Sequence, residues 1–174
     1  ACNTLNWYAP RIEALGLPAK LLSFQNVLTD WIAREGITGL ALLGAAPVTE
    51  MGEWSAYRFL RDLVSVEQPA DPAALHALIH DVKRLGGDDP SLPARLQALV
   101  AGLEADTVLL ACTELPLAFP DHLDDVAFEA GGFLFVNPSA AHVSATLARA
   151  LTGVWRPAGG MRPWLQWRFE TPGF

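Results

Sequence analysis

Two cysteines, Cys2 and Cys112, are the only thiols in the chain, and each sits in the same local setting: ACNTLN at the start and ACTELP past the middle. A thiolate attacks carbon or accepts a proton from it, and a thiol returns one. Two such groups on opposite sides of one substrate carbon could divide the work. One removes a proton and the other delivers a proton to the opposite face, which inverts a stereocentre. Backbone N–H groups at a strand-to-helix junction can hold a carboxylate beside each thiol. A thiol near the positive end of a helix is also expected to have a lowered pKa.

The elements that must position these groups follow from hydrophobic spacing. Leu5, Tyr8, Ile12 and Leu15 recur at helical intervals over Thr4 to Leu15, ended by Gly16 and Pro18, so Cys2 is expected just before a helix. A second helix is expected from Asn26 to Arg34, with Gly36 as its stop. Ile37 to Ala46 is a nearly continuous apolar run that reads as a strand buried on both faces. Val48 to Leu63 reads as helix and Val64 to Gln68 as a short strand ended by Pro69. Helices are expected over Pro72 to Leu85 and Pro93 to Glu104, on either side of GGDDPS. TVLLA (Thr107 to Ala111) is a second buried strand with Cys112 at its carboxyl end. FLFVN (Phe133 to Asn137) is a third, followed by a helix from Ala140 to Leu151. Strands alternating with helices predict an α/β fold with a doubly wound parallel sheet, in which ligands bind beyond the carboxyl ends of the strands.

Composition narrows the function further. The chain has 174 residues, 51% of them hydrophobic, enough for a substantial core, and mean hydropathy is +0.24. No run approaches the roughly 18 apolar residues of a membrane span. A net charge of −7 without basic clusters disfavours nucleic acid. No secretory leader is visible, and reduced thiols in the cytoplasm are expected. His76 and His80 lie four apart on one helix face, but no third ligand accompanies them, so no metal site is expected. His122 and His142 match no motif. The tail from 153 to 174 holds three of the six tryptophans among prolines and glycines, and reads as an irregular strap.

ACNTLN and ACTELPL resemble the paired cysteine motifs of the aspartate/glutamate racemase superfamily, whose members work without pyridoxal phosphate. LLGAAPVTEMGEWSAY resembles that family's strand-loop-helix segment, in which a threonine matched here by Thr49 helps bind the substrate carboxylate. The resemblance covers roughly residues 1 to 152. It implies two similar α/β domains with the active site between them and one cysteine from each. On that template the chain lacks the first part of the N-terminal domain. Residues 1–35 would be the remainder of that domain, 36–130 the second domain, 131–152 a strand and helix returning to the first, and 153–174 the tail. Three positions depart from the family pattern: Asn6 for His, Asn137 for Asp, and Ala45 for Thr. They bear on the substrate's side chain and leave the two-thiol core intact.

The resemblance implies a cofactor-independent racemase or epimerase of an amino acid or related carboxylate. Cys2 and Cys112 would be the catalytic pair, with Asn3, Thr4, Thr49, Thr113 and Glu114 as substrate-binding residues. No cofactor, nucleic acid or membrane partner is expected, and the assembly could be a homodimer. A maleate-type isomerase of the same superfamily, with a nucleophilic thiol, is the alternative enzyme. A carboxylate-binding relative without catalysis is the third reading.

Overall fold

The structure, a computed structural model, describes residues 6–18 and 21–152. Cys2, Asn3, Thr4 and the tail from 153 to 174 lie outside the described residues. Among the described residues, five strands form one sheet in the order β2-β1-β3-β5-β4: β1 (Gly39–Leu43), β2 (Ser65–Glu67), β3 (Thr107–Leu110), β4 (Ala127–Ala130) and β5 (Phe133–Val136). β2, β1, β3 and β5 run parallel, and β4 is antiparallel to β5. The expected α/β fold with a largely parallel sheet is therefore present.

Strict alternation along the central strands explains why both faces are covered. Ala41, Leu43, Val108, Leu110 and Phe135 point to one face, where they meet Leu75, Leu78, Ile79 and Val82, together with Leu92, Leu96 and Val100. These come from two helices, here α4 (Pro72–Leu85) and α5 (Ser91–Val100). Leu40, Leu42, Leu109, Ala111 and Val136 point to the other face, against Phe24, Leu28, Trp31 and Ile32. That group belongs to α2 (Phe24–Glu35), which α6 (Pro138–Thr152) packs against. Parallel strands buried on both sides require near-continuous apolar runs, and LALL and TVLL supply them.

Several elements differ from expectation for identifiable reasons. The helix expected over Thr4 to Leu15 is interrupted: among the described residues Asn6 and Trp7 are helical, a turn falls at Tyr8, and α1 (Ala9–Glu13) follows with Pro10, which has no N–H to donate, at its start. The long helix expected from Val48 to Leu63 is replaced by α3 (Ala46–Thr49), a loop, and a 3₁₀ turn over Arg58–Asp62. Met51 adopts a left-handed backbone with φ 47°, which ends the helical path. Ser55 Oγ then donates to the Val48 carbonyl at 3.0 Å and accepts from Tyr57 N at 3.2 Å, which stitches the loop shut. β4 was not expected; it pairs with β5 as a hairpin across Gly131 and Gly132. β5 itself, placed by the sequence reading in a segment returning to another domain, is hydrogen-bonded into this sheet beside β3. The helix α6 after it starts from Asn137, whose Oδ1 accepts from Ser139 N at 3.0 Å and Ala140 N at 3.3 Å.

One close approach fastens α4 to the segment after β3. A Cβ at Gly87 would be driven into the carbonyl oxygen of Leu117 and would also meet its carbonyl carbon at 3.1 Å. Neither partner is a side-chain tip that could swing away, so the two backbones can lie this close only with glycine at 87. Gly87→Ala is expected to destabilise the protein by about 1–3 kcal/mol through overpacking. Gly102→Ala, where the added carbon meets nothing within 4 Å, is expected to stay within about 0.5 kcal/mol of the parent. Urea unfolding midpoints of the two variants check the contrast.

Candidate active site at the carboxyl end of β3

The central strands end together. β1 and β3 pair from Ala41↔Val108 to Leu43↔Leu110, and the Ala111 amide donates to the Leu43 carbonyl at 2.7 Å. The pairing brings Gly44 against Ala111: a Cβ at Gly44 would stand 3.2 Å from the Ala111 carbonyl oxygen and 3.0 Å from Val48 Cγ1. Cys112 follows as a half-buried free thiol. Thr113 is exposed, Glu114 is partly buried, and a 3₁₀ turn over Leu115–Ala118 closes the loop.

Glu114 organises this loop. Its Oε2 accepts from the Cys112 thiol at 2.6 Å and from the Thr113 hydroxyl at 3.0 Å. Its Oε1 lies 3.1 Å from Nζ of Lys83, in the last turn of α4. Burial alone would raise the Glu114 carboxyl, but the hydrogen bonds from Cys112, Lys83 and Thr113 outweigh it and hold the group at about 2. The thiol is displaced the other way. Burial, then its hydrogen bond to the Glu114 carboxylate, push Cys112 up to about 11. This corrects the expectation of a lowered thiol pKa: the turn after Cys112 is four residues of 3₁₀, too short for a helix-end field, and the adjacent anion dominates. Tyr57, fully buried nearby, is also raised, first by burial and then by the charge of Cys112.

Thr49 stands after β1, at the same end of the sheet, and is buried. Its hydroxyl donates to the Ala46 carbonyl at 3.3 Å, and its own carbonyl accepts from the Gln68 side-chain amide. The structure thus brings Cys112, Thr113 and Glu114 together, with Thr49 on the neighbouring strand's exit. Lys83 is the participant that sequence reasoning missed. It lies in no motif, and only the packing of α4 on the loop reveals it. Asn137, one of the departures from the family pattern, is buried and donates through Nδ2 to the Leu123 carbonyl at 3.1 Å, a bond an ionised Asp could not make. His76 and His80 contact each other edge to face at 4.6 Å, and the described residues contain no cluster of three or more potential metal ligands. Among the described residues no helix is long and apolar enough to cross a membrane.

The opposed displacements of Cys112 and Glu114 have a direct readout. With Cys2→Ser as background, alkylation of Cys112 by iodoacetamide should rise with a midpoint near pH 11. Glu114→Gln removes the adjacent negative charge and should lower that midpoint by about one pH unit or more. Rates measured from pH 7 to 12 check it, and a midpoint unmoved by Glu114→Gln would show that burial alone sets the thiol.

No protein-family model matches the sequence, and no curated protein does. Solved structures are similar in fold. A protein from Yersinia pestis described as a candidate Asp/Glu racemase superposes with a TM-score of 0.66 and 24% identity, over 86% of this chain and 64% of that one. PH1733, an aspartate racemase homologue from Pyrococcus horikoshii OT3, gives 0.61 and 18%, over 88% of this chain and 65% of that one. The chain thus spans a little under two thirds of the length of each. The sheet that carries Cys112 shares its fold with these two structures.

Proposed function

We propose that the protein is a cofactor-independent racemase or epimerase of an amino acid or related carboxylate, with Cys112 and Cys2 as its two acid/base thiols. The observation that carries this reading is Cys112 itself, at the carboxyl end of a central parallel strand with its proton directed at Glu114. That is where α/β sheets place reacting groups. The fold likeness to the two structures adds support, as does the recurrence of the Ala-Cys motif at Cys2.

The proton inventory fits an acid role for Cys112 in the state described. Below about pH 11 its sulfur keeps its proton, because Glu114 is far too weak a base to take it. In one direction, Cys2 as thiolate removes the α-proton and Cys112 delivers its own to the opposite face. The products are the other enantiomer, a Cys2 thiol and a Cys112 thiolate. The reverse direction exchanges the roles. Thr113, exposed beside the thiol, and Thr49, at the exit of β1, would hold the substrate carboxylate together with Asn3 and Thr4, and Glu114 would face the substrate's ammonium group. A maleate-type isomerase would use Cys112 as a thiolate nucleophile, a state that the adjacent carboxylate makes costly there as it does in the reverse direction of racemisation.

Solvent-deuterium exchange separates the steps. With the full chain and each enantiomer of aspartate, glutamate and small neutral amino acids in D₂O, the parent should place deuterium at the α-carbon and form the opposite enantiomer. Cys112→Ser should lower racemisation by on the order of 10²–10⁴-fold in both directions. It should still exchange the α-proton of the enantiomer whose hydrogen faces Cys2. Thr113→Val should raise KM more than it lowers kcat, because a carboxylate contact is made in ground and transition states alike. Racemisation undiminished in Cys112→Ser would remove Cys112 from the mechanism.

A further inference from the structure

We propose that Lys83 is a positioning residue for the Cys112 thiol, acting through Glu114; the role in turnover rests on the acid/base reading of Cys112 above. The geometry assigns a separate job to each oxygen of the Glu114 carboxylate. Oε1 faces the Lys83 ammonium at 3.1 Å, and Oε2 takes the thiol at 2.6 Å and the Thr113 hydroxyl at 3.0 Å. A carboxylate with partners on one side only can turn about its last torsion and trade one oxygen for the other. A cation on the far oxygen removes that freedom, so the lone pairs that meet Cys112 are held in place.

The cation is held in turn by the fold. Lys83 lies in the last turn of α4, and four residues later Gly87 packs against the Leu117 backbone in the turn that follows Glu114. The helix end and the thiol loop therefore keep a fixed separation. The other cations near this helix end are committed elsewhere: Arg84 and Arg95 both pair with Asp81, at 2.9 and 2.8 Å. Among the described residues, the charged and titratable groups that act on Cys112 are thus Glu114 from its own loop, Lys83 from α4 and Tyr57 from the loop after α3. Of these, only Lys83 is positive. It offsets part of the Glu114 charge, which makes release of the thiol proton less costly than it would be beside an uncompensated carboxylate.

Lys83 is largely exposed at 55%, so the ion pair is partly screened and its influence is modest. Lys83→Met, in the Cys2→Ser background, is expected to raise the pH midpoint of Cys112 alkylation by about half a unit. Lys83→Arg should restore the parental midpoint. In a Glu114→Gln background, Lys83→Met should move the midpoint by less than a third as much, because the group through which it acts is gone. In chains retaining Cys2, Lys83→Met should lower kcat a few-fold with KM nearly unchanged. A midpoint unaffected by Lys83→Met, or one shifted equally with and without the Glu114 carboxylate, would overturn the proposal. Alkylation needs no substrate. A midpoint shift in a protein that racemises nothing would therefore uphold the positioning of the thiol while removing the acid/base reading, so the two failures are distinguishable.

Discussion

The parallel pairing of β1 with β3 is the constraint on which the rest depends. Its register brings Leu43 level with Leu110, so both strands end at the same height and the chain leaves the sheet twice at one place, through Gly44 and through Cys112. Because both strands are buried on both faces, a slip of one residue would turn the Leu40 and Leu42 face toward α4 and α5, and the Ala41 and Leu43 face toward α2. The core therefore fixes the position of the thiol. Gly44 adds a local condition, since even one carbon there would crowd both Val48 and the Ala111 carbonyl.

Around the thiol, electrostatics follow from one carboxylate with three donors. Cys112, Thr113 and Lys83 converge on Glu114 from two elements, and the charge stays on the carboxylate while the proton stays on the sulfur. The site at rest is thus a neutral acid beside a compensated anion. Its acidity depends on what else offsets the Glu114 charge. On the proposed reading, an ammonium group beside Glu114 would offset more of its charge, the penalty on ionising Cys112 would fall, and the thiol would become a better acid while a substrate is present.

Much of the sheet was legible because its code is local. The apolar runs in LALL and TVLL and Gly36 after α2 are features of neighbouring residues. The hairpin of β4 and β5 was also available in AFEAGGFLFV, where a Gly-Gly pair divides two apolar runs, though only the second was read as a strand. The helix expected after β1 failed for a nonlocal reason. Met51, Tyr57 and Leu60 are drawn one by one into the core between α2 and the sheet, and a continuous helix could not present all three there. The thiol loop divides in the same way. Cys112, Thr113 and Glu114 are adjacent in sequence and announced themselves as a motif, whereas the direction of the thiol's pKa is set by its burial and then by the orientation of the Glu114 carboxylate, against the opposing charge of a lysine some thirty residues away.

The backbone contact at Gly87 also determines where the chain can vary in length. Residues inserted beyond it, in the turn leading to α5, leave the span from Lys83 to Gly87 untouched and can lengthen the loop without disturbing the thiol. One residue inserted between 83 and 87 would have a different result, since each added helical residue rotates what precedes it by about 100°. The ammonium would be carried around the helix, away from Glu114, while the sheet and the cysteine stayed where they are. Length variation on one side of a single glycine is thus silent, and on the other side it rewires the charge around Cys112.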